Sequence, residues 1–152
     1  MFDAFFKYFF NVYPISPPKL DSNGGFVIAL DNDIDVYISP HKGKAQYIHL
    51  ACEVSAIDKE NVERKWLMDI LCAQYANQQP IACYFGINEQ QDSLLLLQHI
   101  DLSLGQYELV LEQIIIFAKM SKYWQQKLLQ NESDMSAIDK PSLNTFNLMN
   151  LA

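Results

Sequence analysis

Phe26-Val27-Ile28-Ala29-Leu30-Asp31-Asn32-Asp33-Ile34-Asp35-Val36-Tyr37-Ile38 sets two short apolar runs on either side of an acidic turn. In the second run Ile34, Val36 and Ile38 fall on one face and Asp35 and Tyr37 on the other. That period of two predicts a strand with one buried side. Phe26–Leu30 is its predicted partner, and Asp31-Asn32-Asp33 is the turn that reverses the chain. Pro40-His41-Lys42-Gly43 makes the next connection. Gln46–Glu53 then reads as a third strand, with Ile48, Leu50 and Cys52 facing one way and Tyr47, His49 and Ala51 the other. Strands on turns this short form an antiparallel meander.

On the amino-terminal side, Phe2, Phe5, Phe6, Phe9, Phe10 and Tyr13 recur at steps of three and four, which predicts a helix over 2–13 with its rings on one side. Pro14, Pro17 and Pro18 end it, and Asp21-Ser22-Asn23-Gly24-Gly25 is a turn. On the carboxyl side a second helix is predicted over 59–77, with Asp58 as its cap and Glu60 and Glu63 near its start. Trp66, Ile70 and Ala73 mark one stripe of it, while Leu67, Met68, Leu71, Cys72, Tyr75 and Ala76 cover much of the rest. A surface helix needs one apolar stripe, so the surplus predicts a second layer or a second chain. Ile81–Ile87 and Leu94–Ile100 read as a hairpin around the polar turn 88–92, followed by a long helix over 104–129. The expected class is α+β, in the order α-β-β-β-α-β-β-α. Residues 1–130 are expected to form the domain, and 131–152, richer in Asn, Ser and Asp, a flexible tail.

The 152 residues suit one domain, which at this size buries about 70% of its unfolded surface without disulfides or metals. Eleven Lys and Arg against 18 Asp and Glu leave a formal charge of −7, which argues against nucleic acid as a partner. Cys52, Cys72 and Cys83 are odd in number, widely spaced and set in apolar runs, as expected of reduced thiols in a cytoplasmic protein. No secretory signal is legible, because Asp3 precedes any basic residue and Lys7 interrupts the apolar stretch. No apolar run approaches the roughly 18 residues of a membrane span, so no membrane insertion is expected.

Catalytic and metal-binding patterns are missing. Asp31-x-Asp33-x-Asp35 opens like a calcium loop, but Val36 and Lys42 stand where that loop needs glycine and glutamate. His41 is expected in a solvated loop, and His49 and His99 as structural residues on strands, none with a second ligand at zinc spacing. The glycines lack the helix-start context of a phosphate loop.

The element order resembles that of the class I type III secretion chaperones, dimeric proteins that hold bacterial effectors before export. Leu30-Asp31 followed by Ile34-Asp35-Val36 is similar to the family's first hairpin, and Leu71-Cys72-Ala73-Gln74-Tyr75-Ala76-Asn77 to the close of its second helix. Phe85-Gly86-Ile87 with Leu94-Leu95-Leu96-Leu97 resembles the last hairpin, and Phe117, Trp124 and Leu128 the last helix. A first helix so rich in phenylalanine and a tail this long depart from the pattern.

The resemblance implies a homodimer with no catalytic residues, metal or cofactor. Its expected partners are secreted effector proteins, with the secretion-apparatus ATPase as a further one. The implied dimer interface takes Trp66, Met68, Cys72, Tyr75, Cys83 and Phe85. An effector segment would lie extended along the sheet edge and in surface grooves, for which the candidates are Phe5, Phe9, Val12, Val27, Ala29, Tyr37 and Tyr47. Two other readings stand beside it: an α+β adaptor or scaffold module for folded partners, and a small thiol enzyme pairing Cys52 or Cys83 with a histidine.

Overall fold

The alternation read from the strands is borne out as burial. In the computed structural model, which describes residues 1–13, 15–30, 34–57, 64–76 and 83–136, the side chains of Ile34, Val36, Ile38, Ile48, Leu50 and Cys52 are all buried. Side chains at 64, 65, 73, 75, 76 and 130–136 also lie outside the description. The order is α1 (Phe2–Val12), β1 (Phe26–Leu30), β2 (Ile34–Pro40), β3 (Tyr47–Ala56), α2 (Arg64–Ala76), β4 (Cys83–Asn88), β5 (Ser93–Asp101) and α3 (Tyr107–Ser136). The expected α-β-β-β-α-β-β-α order is the one found. The turn 31–33, the cap at Asp58, Glu60 and Glu63, and Ile81 lie outside the described residues.

Meander and hairpin join into one five-stranded antiparallel sheet, ordered β1-β2-β3-β5-β4, through the pairing of β3 with β5. Its register makes continuous rows. Phe26, Ile38, Leu50, Gln98 and Cys83 form one row on the inner face, while Val27, Tyr37, Ala51, Leu97 and Tyr84 form one on the outer face. α1 and α3 cover the inner face. Phe26 on β1 meets the rings of Phe2, Phe6, Phe9 and Phe10, with centroids at 6.4, 5.3, 6.1 and 5.6 Å. Trp124 of α3 stands edge-on to Phe85 of β4 at 5.0 Å.

Both ends of α3 differ from the sequence reading for local reasons. α3 starts at Tyr107 rather than Leu104, because Gly105 takes φ 66° and ends a turn that Asp101 fixes by accepting the Ser103 N–H at 2.7 Å. It runs on to Ser136 rather than Leu129, since no proline or glycine interrupts 130–136.

Candidate functional site

Each end of the sheet is an edge strand, and the two edges are treated differently. At β4 the side chain of Gln74, from α2, accepts the Phe85 backbone N–H at 3.2 Å, so α2 closes part of that edge. Among the described residues β1 pairs only with β2, which leaves its other side as an unpaired edge. Residues on β1 alternate across this edge. Phe26 and Ile28 point into the core under α1, whereas Val27 (52% exposed) and Ala29 stand on the outer face.

The residues proposed for effector contact divide between the two sides. Phe5 and Phe9 are 0% and 2% exposed; they are core positions, closed to a partner while α1 stays seated. Val12, at the carboxyl end of α1, is exposed. Val27, Ala29, Tyr37 and Tyr47 share the outer face, with Tyr37 directly opposite Val27. Tyr37 is held in place. Asp21 accepts the N–H groups of Asn23 and Gly25 through Oδ1, both at 2.8 Å, and the Tyr37 hydroxyl through Oδ2 at 2.8 Å. The Gly25 N–H, then the Tyr37 hydroxyl, hold the Asp21 carboxyl below its usual range; burial, then Asp21, push the Tyr37 phenol up. The turn read at 21–25 is therefore the mount for an outer-face aromatic.

The proposed dimer residues also divide. Cys83 is buried, and Trp66 and Phe85 pack inward against the core. Met68 and Cys72 are exposed, as are the apolar side chains of Leu67 and Leu71 on the same helix and of Ile87 on β4. The side chain of Tyr75 lies outside the described residues. Ile70 is buried, so α2 seats one stripe on the core and turns the other outward, as its double pattern implied. The sequence signal for Leu67 and Leu71 was that surplus; Ile87 carried none, since strand alternation alone does not tell an open face from a covered one.

Neither Cys52 nor Cys83, the two candidates for a thiol nucleophile, bonds to a histidine among the described residues. Cys52 Sγ lies 3.5 Å from the Glu53 carbonyl and Cys83 Sγ 3.6 Å from Gln98 Oε1. Burial pushes both thiols up, Cys83 to about 11. A reactive cysteine needs the opposite shift. His41, His49 and His99 converge on the outer face, with His49 and His99 on strands as read and His41 half-buried rather than solvated. Among the described residues no helix is long and apolar enough to cross a membrane, and no group of three or more His, Cys, Asp or Glu is placed to hold a metal.

An α-β-β-β-α-β-β-α chain with α1 and α3 on one face of a five-stranded sheet has the fold of secretion chaperones solved together with protein partners. It is similar to a chain of the HopA1–SchA chaperone–effector complex (TM-score 0.62, 12% identity, 82% of this chain and 93% of that one). It is similar to a chain of the ExsC–ExsE complex (0.64, 13%, 82% and 90%). A third likeness is to the Yersinia pestis type III secretion chaperone SycH, solved with a stable fragment of YscM2 (0.60, 10%, 82% and 99%). At these identities the shared property is the fold. No family model and no curated protein matches the chain.

Proposed function

We propose that this chain is a cytoplasmic chaperone of type III secretion that binds an extended segment of one or more effectors, keeps them soluble and competent for export, and acts stoichiometrically as a homodimer. One observation carries the reading: over four-fifths of its length the chain shares its fold with chaperones solved in complex with protein partners. The open β1 edge supports it, because an extended segment that adds there gains main-chain hydrogen bonds. Val27, Ala29, Tyr37 and Tyr47 on one side and Val12 on the other are then the side chains within reach of such a segment, with Phe5 and Phe9 supporting them from beneath. The exposed stripe of Leu67, Met68 and Leu71, with Cys72 and Ile87, is the proposed homodimer surface; Trp66, Tyr75, Cys83 and Phe85 complete the candidate set for it. The raised, buried thiols speak against the thiol-enzyme reading. The domain is proposed to end near residue 130, and the tail and a secretion ATPase partner belong to the same proposal.

The test is isolation of the tagged chain from its native host, with the copurifying proteins identified and the mass of the complex measured. Two copies of the chain with one secreted protein, whose bound segment resists protease only while bound, is the expected result. A lone monomer, or a partner already folded when free, overturns the proposal, and the second outcome favours the adaptor reading.

A further inference from the structure

The three histidines of the chain, distant in sequence, meet on the outer face of the sheet. His49 and His99 are cross-strand partners with ring centroids 4.9 Å apart, and His41, from the loop before β3, lies 4.7 Å from His99. With Asn23, Ser39 and Lys42 they line an open pocket of about 390 Å³. Tyr37 also lines it, with its hydroxyl already given to Asp21. Nδ1 of His41 and Nε2 of His49 are buried and have no hydrogen-bond partner among the described residues, which is costly for a polar nitrogen.

Among the described residues the lining itself carries charge of one sign. It holds an ammonium, three imidazoles, an amide and two hydroxyls, but no carboxylate among the described residues, in a chain with 18 acidic residues against 11 basic. Lys44 stands close by, 5.6 Å over the Tyr47 ring. Tyr84 Oη lies 3.2 Å from His99 Nε2. The nearest acids already have partners: Asp21 the 23–25 turn, the Tyr37 hydroxyl and, more weakly, the charge of Lys42, and Asp101 the Ser103 N–H and Tyr47.

We infer that this pocket is a subsite for the carboxylate of an Asp or Glu side chain on a bound polypeptide. The partner's being an extended chain rests on the chaperone reading above; the chemistry of the pocket does not. The outer row of Val27, Tyr37, Ala51, Leu97 and Tyr84 runs beside it, so a segment crossing this face sets apolar side chains on the row and an acidic one among the histidines. Burial first, then neighbouring positive groups, hold the His49 and His99 imidazoles below their ordinary pKa. An arriving carboxylate reverses that, so binding takes up protons and tightens as pH falls, by at most about tenfold per pH unit for each proton gained.

The test follows the imidazole resonances of the full chain by NMR during titration with acetyl-Val-Glu-Val-amide, its Gln counterpart, and inorganic phosphate. The Glu peptide is expected to shift all three histidines saturably, about tenfold more tightly than the Gln peptide at pH 6, with a smaller gap at pH 8. Lys42→Ala and His99→Gln, both checked for an unchanged backbone spectrum, should each narrow that gap severalfold. Equal response to the two peptides, or none, overturns the subsite. Phosphate binding as well as the Glu peptide reduces it to an unspecific anion site and overturns the carboxylate assignment. Neither result bears on copurification of an effector, so failure of this inference and failure of the chaperone reading are separately visible.

Discussion

Phe9→Ala tests whether the first helix is core or contact surface. Phe9 is 2% exposed, with ring centroids of Phe5, Phe10, Tyr13 and Phe26 at 6.0, 5.0, 5.0 and 6.1 Å. A phenylalanine buries about 150–250 Å², which at about 25 cal/mol per Å² is worth roughly 4–6 kcal/mol. Truncations of this kind cost about 3–5 kcal/mol, set against a total stability of about 5–15 kcal/mol for a domain. With a urea slope near 2 kcal/mol per M, the midpoint should fall by about 2 M. The assay is urea unfolding followed by far-UV circular dichroism at one fixed chain concentration, because a dimer's midpoint depends on concentration. Val12→Ala, on an exposed turn of the same helix, should stay within about 0.5 kcal/mol of the parent. If Phe9→Ala costs less than about 1 kcal/mol, or no more than Val12→Ala, the rings are not seated on the sheet and the helix is free to offer them to a partner.

Four further outcomes are expected. A thiol reagent should titrate at most one cysteine in the folded chain, Cys72, protected where the proposed dimer covers it, and three in denaturant, since Cys52 and Cys83 are buried; more than one fast thiol would contradict that burial. Burial raises the Cys83 thiol from 9.0 to about 11, so the folded state holds this proton the more tightly. Its contribution is complete below pH 9 and lost as pH rises from 9 to 11; Cys83→Val should show a flatter fall in unfolding free energy over that range than the parent. Leu71→Glu, at a 52% exposed position of α2, should leave the circular dichroism unchanged and shift a dimer to monomer by light scattering; an unaltered dimer would remove α2 from the interface. A Cβ added at Gly25 would run into the Tyr37 ring, so Gly25→Ala should cost about 1–3 kcal/mol, and adding Tyr37→Ala should recover part of that loss; additive losses in the double variant would deny the contact.

The inward faces of the strands and of α1 were legible because burial imposes a local period. Ile34, Val36 and Ile38 at steps of two, and Phe5 and Phe9 at a step of four, had one arrangement that hid them, and it is the one found. The doubled stripe on α2 was legible as a surplus for the same reason. Which stripe seats on the core was settled by tertiary packing, through Ile70 inward and Leu71 outward. Long-range pairing left no local mark. Nothing around Tyr47 or Asp101 indicates that they lie opposite each other, yet that register brings His49 onto His99 and turns the outer face into a surface with a pocket. Likewise the candidates Phe9 and Val27 read alike as exposed-capable apolar residues, and only the stacking of α1 on Phe26 sent one inside and left the other in solvent. Periodicity is set by neighbours a few residues apart and survives in the sequence; strand order and register are set by residues tens of positions away, and those the fold alone decides.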